Sequence, residues 1–261
     1  MEQIVRRKPL FDAVRIILGR GLWQSEVEML DRAIDRALAG DTASAVEASR
    51  RLGALSARFE SGGRGPGAVS SGQGDPGGVS YGIYQLASKT GTAAAFVKAE
   101  GARWRCDFAE AQPGSEAFTS AWKAIAGREP EAFAEAQHAF IERTHYRPAV
   151  ASVLQDTGLD LDARHQAVRD ATWSVAVQHG RAARVLAGAV AKVDAVLGRQ
   201  GVEFDRHLIE AIYAERTDYV LRLAARSKGA ARATLEAISR NRFPAELARA
   251  RAMLEDETSR G

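Results

Sequence analysis

Phe59-Glu60-Ser61-Gly62-Gly63-Arg64-Gly65-Pro66-Gly67 and, a few residues on, Gly72-Gln73-Gly74-Asp75-Pro76-Gly77-Gly78-Val79-Ser80-Tyr81-Gly82 form the stretch from which the rest of the chain is read. Upstream of it, Leu52, Leu55 and Phe59 recur at helical spacing, so Glu60 closes an amphipathic helix that begins near Thr42 or Ser44. Asp75 follows beyond a loop dominated by glycine and serine. Composition alone fits a flexible linker equally well. The residues after it argue against a linker. Val79-Ser80-Tyr81-Gly82-Ile83-Tyr84-Gln85-Leu86 has strand propensity behind a turn, and Val69-Ser70-Ser71 is placed to pair with residues 79–86 as a short hairpin.

Outward from this stretch the pattern is helical. Residues 8–19 put Leu10, Phe11, Val14, Ile17 and Leu18 on one face, and Gly19-Arg20-Gly21 breaks the run. Ser25-Glu26-Val27-Glu28 is a capping-box pattern that opens a second helix carrying Val27, Leu30, Ile34 and Leu38. Residues 1–41 therefore read as an N-terminal helical hairpin, either binding a polymer surface such as a cell wall, if the later residues point there, or packing on its neighbour, and residues 42–261 as the main domain. Further helices are expected over 90–100, 115–126, 130–145, 146–157, 163–179, 181–198, 203–226, 229–240 and 244–256. Ser115 and Asp160 mark starts, and Gly127, Gly158, Gly180, Gly201 and Gly229 mark stops. The fold class is mainly α (α+β), with a small β-hairpin and the glycine-rich loop lining a cleft.

The chain has 261 residues, 46% of them hydrophobic and 26% charged, which suits one large globular domain or one domain with an appendage. No run nears the roughly 18 apolar residues that a membrane helix needs. The first residues, Met1-Glu2-Gln3-Ile4-Val5-Arg6-Arg7-Lys8-Pro9, lack the apolar core of a secretory signal, so another route to the wall is expected. Cys106 is the only cysteine, which precludes an internal disulfide, and no Cys/His pattern has zinc spacing; neither metal nor cofactor is expected. The net charge of +3 and pI near 9.2 favour an anionic polymer partner.

Two carboxylates in unlike settings are what splitting a glycosidic bond requires. Glu60 sits at the negative end of a helix dipole beside Phe59, a setting that favours the protonated form and hence a general acid. Asp75 lies among glycines with backbone N–H groups and water at hand, a setting for an ionised base. Ser80, five positions past Asp75, offers a hydroxyl to hold the attacking water. Arg64, Tyr81, Tyr84 and Gln85 are candidates to line the cleft, although Tyr81 and Tyr84 suit the core equally. Phosphate binding is disfavoured, because the loop has neither a Gly-Lys-Ser/Thr ending nor a Gly-x-Gly-x-x-Gly between strand and helix.

Glu60-Ser61-Gly62-Gly63 through Asp75-Pro76-Gly77-Gly78-Val79-Ser80-Tyr81-Gly82 resembles the catalytic region of the glycoside hydrolase family 46 chitosanase-like group in the lysozyme superfamily. More closely, it resembles lysozyme domains of phage endolysins and those fused to type VI secretion spike proteins. That resemblance implies a lysozyme-like fold with Glu60 as acid, Asp75 as base and Ser80 orienting water in an inverting hydrolysis. Gly77 and Gln85 depart from the chitosanase pattern, and Arg58, Arg64 and Lys89 around the loop disfavour a polycationic glycan. Thr172-Trp173-Ser174-Val175-Ala176-Val177-Gln178-His179-Gly180 also resembles a segment of the peptidoglycan-cutting relatives. Gln178 and His179 are thus candidate subsite residues, with a core Trp173 and a helix-capping His179 as the equal alternative. His138, His145, His165 and His207 lack metal-like spacing and read as ordinary residues.

The expected function is a muramidase cutting the β-1,4 bond between N-acetylmuramic acid and N-acetylglucosamine. It would be an endolysin made in the cytoplasm and released to the periplasmic wall by a holin or a secretion system. The partners are peptidoglycan glycan strands and, through the arginine-rich segment from Tyr219 to Ala252, an anionic outer-membrane surface. No recognition helix or stacking platform suggests nucleic acid, and a monomer is expected. The alternatives are a non-catalytic cell-wall-binding or secretion-spike-associated module and, among enzymes, a chitosanase or a lytic transglycosylase. Retention stays open beside inversion, because the carboxylate separation decides between them.

Overall fold

In the computed structural model, which describes residues 52–55 and 65–259, Ser80–Tyr81 (β1) and Leu86–Ala87 (β2) pair antiparallel, with Ser80 opposite Ala87 and Tyr81 opposite Leu86. All these residues fall in the unit Leu52–Gly261. The expected hairpin over residues 1–41, Glu60 with the residues just before it, and Arg64 lie outside the described residues. Residues 79–86, expected as one strand, instead fold back on themselves: residues 82–85 turn, with Gly82 at φ 74° and Gln85 at φ 53°. Val69 pairs with this hairpin as expected, through a single antiparallel bridge to Tyr81.

Everything else regular among the described residues is helical. After Thr92–Lys98 (α1), a 3-10 turn at Ala102–Trp104 leads into the short Arg105–Phe108 (α2), a step the apolar spacing did not signal. Then follow Glu116–Arg128 (α3), Pro130–Ile141 (α4), Arg147–Thr157 (α5), Gln166–Gln178 (α6), Ala182–Asp194 (α7), Gly201–Arg226 (α8), Gly229–Ala237 (α9) and Phe243–Ser259 (α10). The Ser115 side chain accepts the Phe118 N–H and caps α3 as expected, whereas Asp160 caps only the 3-10 turn Leu161–Ala163. The glycine stops divide. Gly158 closes α5 in the left-handed region, but Gly127 lies inside α3, and Gly201 and Gly229 open helices instead of ending them. Two π-helical turns, Glu142–Tyr146 and Ile238–Arg242, run directly into Arg147-Pro148 and Phe243-Pro244. Proline lacks an N–H and crowds the carbonyl four residues back, so a widened turn lets the chain stay helical through it.

Helix α6 is the centre of the unit. Ala167, Val168 and the whole of Asp170–Ala176 are buried, because α7, α8, α10 and the Glu142–Tyr146 turn pack around it. The Asp170 carboxylate accepts N–H groups from Gly53 (3.0 Å) and Leu55 (2.9 Å) and an amide proton from Gln166 (3.0 Å). One turn on, Trp173 lies against Gly53 so closely that a Cβ there would stand 2.6 Å from the indole nitrogen. Gly53 also has φ 88°, so only glycine fits. Burial raises the Asp170 carboxyl to about 6, against the lowering effect of its three hydrogen bonds.

At the far end of α6 a second polar group is enclosed. Arg216 of α8 is fully buried and donates to Glu246 (2.8 Å), to the Ser174 hydroxyl (3.0 Å) and carbonyl (3.2 Å), to Gln178 (3.1 Å) and to the His179 ring (3.3 Å). Glu246 also accepts from Ser174 (2.8 Å), Tyr213 (3.2 Å) and Arg242 (2.5 Å). Burial opposes its ionisation, but Arg216 and Arg242 outweigh that and hold it below the usual carboxylate range. The Phe243 ring covers the Arg216 guanidinium at 4.2 Å. Burial, then the charges of Arg216 and Arg242, push His179 down to about 3, so it accepts from Arg216 as a neutral imidazole.

Arg216→Met leaves Glu246 buried with only Arg242 as counter-ion, and the expected loss is about 3–5 kcal/mol in urea unfolding. Asp170→Asn removes one of two acceptors for the Gly53 and Leu55 N–H groups, for an expected loss of about 1–3 kcal/mol. The pH dependence follows from opposed effects. Unfolded His179 takes up a proton below 6.5 while the folded ring does not until about 3, so stability is lost as pH falls through that window. Asp170 acts oppositely between 3.8 and about 6, and its shift is the smaller. Between about 6 and 3.8 the two nearly cancel, so the wild type should lose only about 1 kcal/mol from pH 6.5 to 4. His179→Gln, left with Asp170, should instead gain stability on acidification and differ from the wild type by about 3 kcal/mol at pH 4.

Candidate active site

The glycine-rich loop is knitted to the hairpin and does not behave as a linker. The Asp75 side chain accepts the Gly77 N–H at 2.8 Å, and its carbonyl accepts the Gly78 N–H at 2.9 Å. Lys89 N–H donates to the Gly77 carbonyl (3.0 Å) and Ser88 N–H to that of Val79 (2.9 Å), which ties the loop to the end of β2. Gly78 has φ 75°, and a Cβ there would meet the Ser88 hydroxyl at 2.6 Å, so the tie depends on that glycine. Asp75 stands exposed at the turn, held by this backbone and by no other side chain among the described residues.

Ser80 lies on β1 with 8% of its surface exposed. Its N–H donates to the Ser70 hydroxyl (2.8 Å) and its carbonyl accepts the Ser70 N–H (2.9 Å). The Ser80 hydroxyl itself has no hydrogen-bond partner among the described residues. Tyr81 fills the core instead of a cleft. It is fully buried, its hydroxyl joins Thr119 (3.0 Å) and accepts from Gly114 N–H (2.9 Å), and its ring meets Phe118 edge-on at 5.0 Å. Side chains alternate along a strand, so the inward position of Tyr81 turns Ser80 to the other face.

Tyr84 is half-buried and reaches His138 of α4, hydroxyl to Nδ1 at 2.8 Å. The His138 ring stacks on Trp173 at 4.4 Å and 13°, and Tyr84 meets the same indole edge-on at 6.2 Å. The Trp173 indole N–H is buried without a hydrogen-bond partner among the described residues. Gln85 is exposed with φ 53°, a conformation that costs a non-glycine residue roughly 1–3 kcal/mol. Gln178 and His179 are not brought to this group; both are spent on Arg216, because an unpaired guanidinium in the core would be far more costly.

The segment 56–64, which carries Glu60 and Arg64, lies outside the described residues, but both its flanks are held. Gly53 and Leu55 are gripped by Asp170. On the other side, the Pro66 carbonyl accepts from the Trp122 indole (2.8 Å) and the Gln137 amide (3.0 Å). Gln137, fully buried, also accepts the Ile83 N–H at 2.9 Å, so one amide clamps the start of the loop to the hairpin turn. His138, expected to be an ordinary residue, joins the Tyr84–Trp173 group, while Gln137 and Asp170 carried no expectation from the sequence. Their common signal was a polar residue inside an apolar helical row: Gln137 between Phe133 and Phe140-Ile141, Asp170 between Val168 and Ala171.

Residues 52–242 match the family described as the type VI secretion system spike protein VgrG3-like C-terminal region. Over 129 residues the chain is 40% identical to the type VI secretion system spike protein VgrG3 of Vibrio cholerae serotype O1, a stretch covering 49% of this chain and 12% of that protein. The chain thus spans a small part of that relative's length. These matches overturn the assignment to the glycoside hydrolase family 46 chitosanase-like group. They favour the spike-associated module over the phage endolysin. The chain belongs to the VgrG3-like C-terminal family of type VI secretion system spike proteins.

Proposed function

We propose that this chain is the effector portion of a secretion spike and that it hydrolyses peptidoglycan glycan strands in a periplasm reached by that secretion system. The single observation that carries the reading is Asp75. It is an exposed carboxylate fixed by backbone on a loop that is itself anchored to the hairpin, with an uncommitted Ser80 hydroxyl on the adjoining strand. Glu60 lies between two anchored flanks, Leu55 and Pro66, and is assigned the general acid that protonates the leaving glycosidic oxygen. Asp75 takes the proton of the attacking water, and Ser80 orients that water. The Tyr84–His138–Trp173 group supports the first flank from α4 and α6 and offers Tyr84 and the exposed Gln85 to the sugar. Arg64, from the same segment as Glu60, is assigned to substrate carboxylates. The partners are the rest of the spike and the glycan strand.

Digestion of purified sacculi, with mass spectrometry of the released muropeptides, tests this. Wild type should release fragments with reducing N-acetylmuramic acid ends. Glu60→Gln and Asp75→Asn should each lose on the order of 10²-fold or more, and Ser80→Ala about 10-fold with KM nearly unchanged. Anhydro-sugar ends with an active Asp75→Asn would identify a lytic transglycosylase instead. Sacculi left intact by the wild type would leave a spike-associated module without this chemistry.

A further inference from the structure

A groove of about 1020 Å³ opens on the face made by α5, α7 and α8, lined by Arg181, Arg184, Arg222 and Arg226 with Tyr219 and Leu223 among its walls. None of the four guanidiniums has an ion-pair or hydrogen-bond partner among the described residues. Such pairing is common elsewhere on the surface: Arg143 with Glu100, Arg147 with Glu142 and Asp162, Arg199 with Asp194. The acids near the groove do not neutralise it. Glu215 is held by Lys192 at 2.7 Å, which leaves Asp156 as the one other carboxylate in the lining. Four like charges around one concavity repel one another and raise its affinity for anions.

We propose that this groove binds the carboxylate-bearing stem peptides of peptidoglycan, an inference that rests on the hydrolase reading above. The charge complementarity suits that ligand. A stem peptide carries several carboxylates along a short extended chain, and guanidinium forks grip carboxylates bidentately. Tyr219 and Leu223 give its aliphatic side chains an apolar wall. The position also suits it. Trp173, which stacks beneath the Tyr84–His138 pair, lies five residues before Gln178, the end of α6, roughly 8 Å along the helix. Arg181 then stands at the N-cap position of α7, its side chain making no capping bond. A glycan bound beside Tyr84 would thus lie against the helix that leads into the first arginine of the groove.

The test compares intact sacculi with glycan strands stripped of peptide by an amidase, using wild type and Arg222→Glu/Arg226→Glu. Both arginines are exposed, and circular dichroism checks that the variant is folded. The expected result is a KM raised on the order of ten-fold on intact sacculi with kcat kept, and no change on stripped strands. An equal change on both substrates, or none on either, overturns the proposal. If wild type cleaves neither substrate, that failure belongs to the hydrolase reading, and direct titration with a soluble stem tetrapeptide decides the groove. Binding by the wild type that weakens with salt and is lost in the double variant supports it; no binding at millimolar peptide overturns it.

Discussion

A buried carboxylate on the central helix holds the backbone that leads into the candidate acid. Asp170 accepts the N–H groups of Gly53 and Leu55 from inside the core, where an unmet N–H would cost about 1–3 kcal/mol. Trp173, one turn further along α6, seals the same backbone from the side, and Gly53 has no Cβ to push it away. The grip acts together with the Gln137 clamp on Pro66 and Ile83. The two polar contacts hold both sides of a nine-residue segment and the hairpin turn, although none of these side chains is assigned to the chemistry. The aromatic packing of Tyr81, Phe96, Phe118 and Trp122 supplies the mass of the core, and the polar anchors supply its register.

The opposite end of α6 has the reverse arrangement, a cation in the core and not an anion. Arg216 is enclosed by Glu246, Ser174, Gln178, His179 and the Phe243 ring. A buried pair of this kind contributes little net stability but makes any rearrangement expensive. It fixes where α8 and α10 meet α6, and it claims Gln178 and His179 for the core. Four arginines without a partner among the described residues lie on the outside, on the face of α5, α7 and α8.

Membership in the VgrG3-like C-terminal family and the geometry of the loop bear on different questions. The family relates the chain to type VI secretion spike proteins, and delivery to a wall belongs to the proposal. The loop bears on what it would do there. Asp75 is fixed through its own turn and through Gly77 and Val79 to the end of β2, so its position is set by backbone hydrogen bonds that tolerate few substitutions. That suits a residue whose distance to a water molecule matters more than its contribution to stability.

Much of the architecture was legible in one dimension. Apolar spacing located nine of the helices from Thr92 onward to within a few residues, Ser115 announced its own cap, and Val69 was recognised as the partner of the hairpin. These features depend on neighbours within one turn or on a pairing a few residues away, and local chemistry suffices for them. The bend within residues 79–86 was hidden, because Gln85 adopts a positive φ that its residue type does not advertise. The two π turns were hidden because a proline inside a helix ordinarily signals a stop. The roles of Asp170, Gln137, Arg216 and His179 depend on partners 30 to 117 positions away. A polar residue in an apolar stripe says that a partner must exist; which backbone or charge fills that need is decided only when the helices pack.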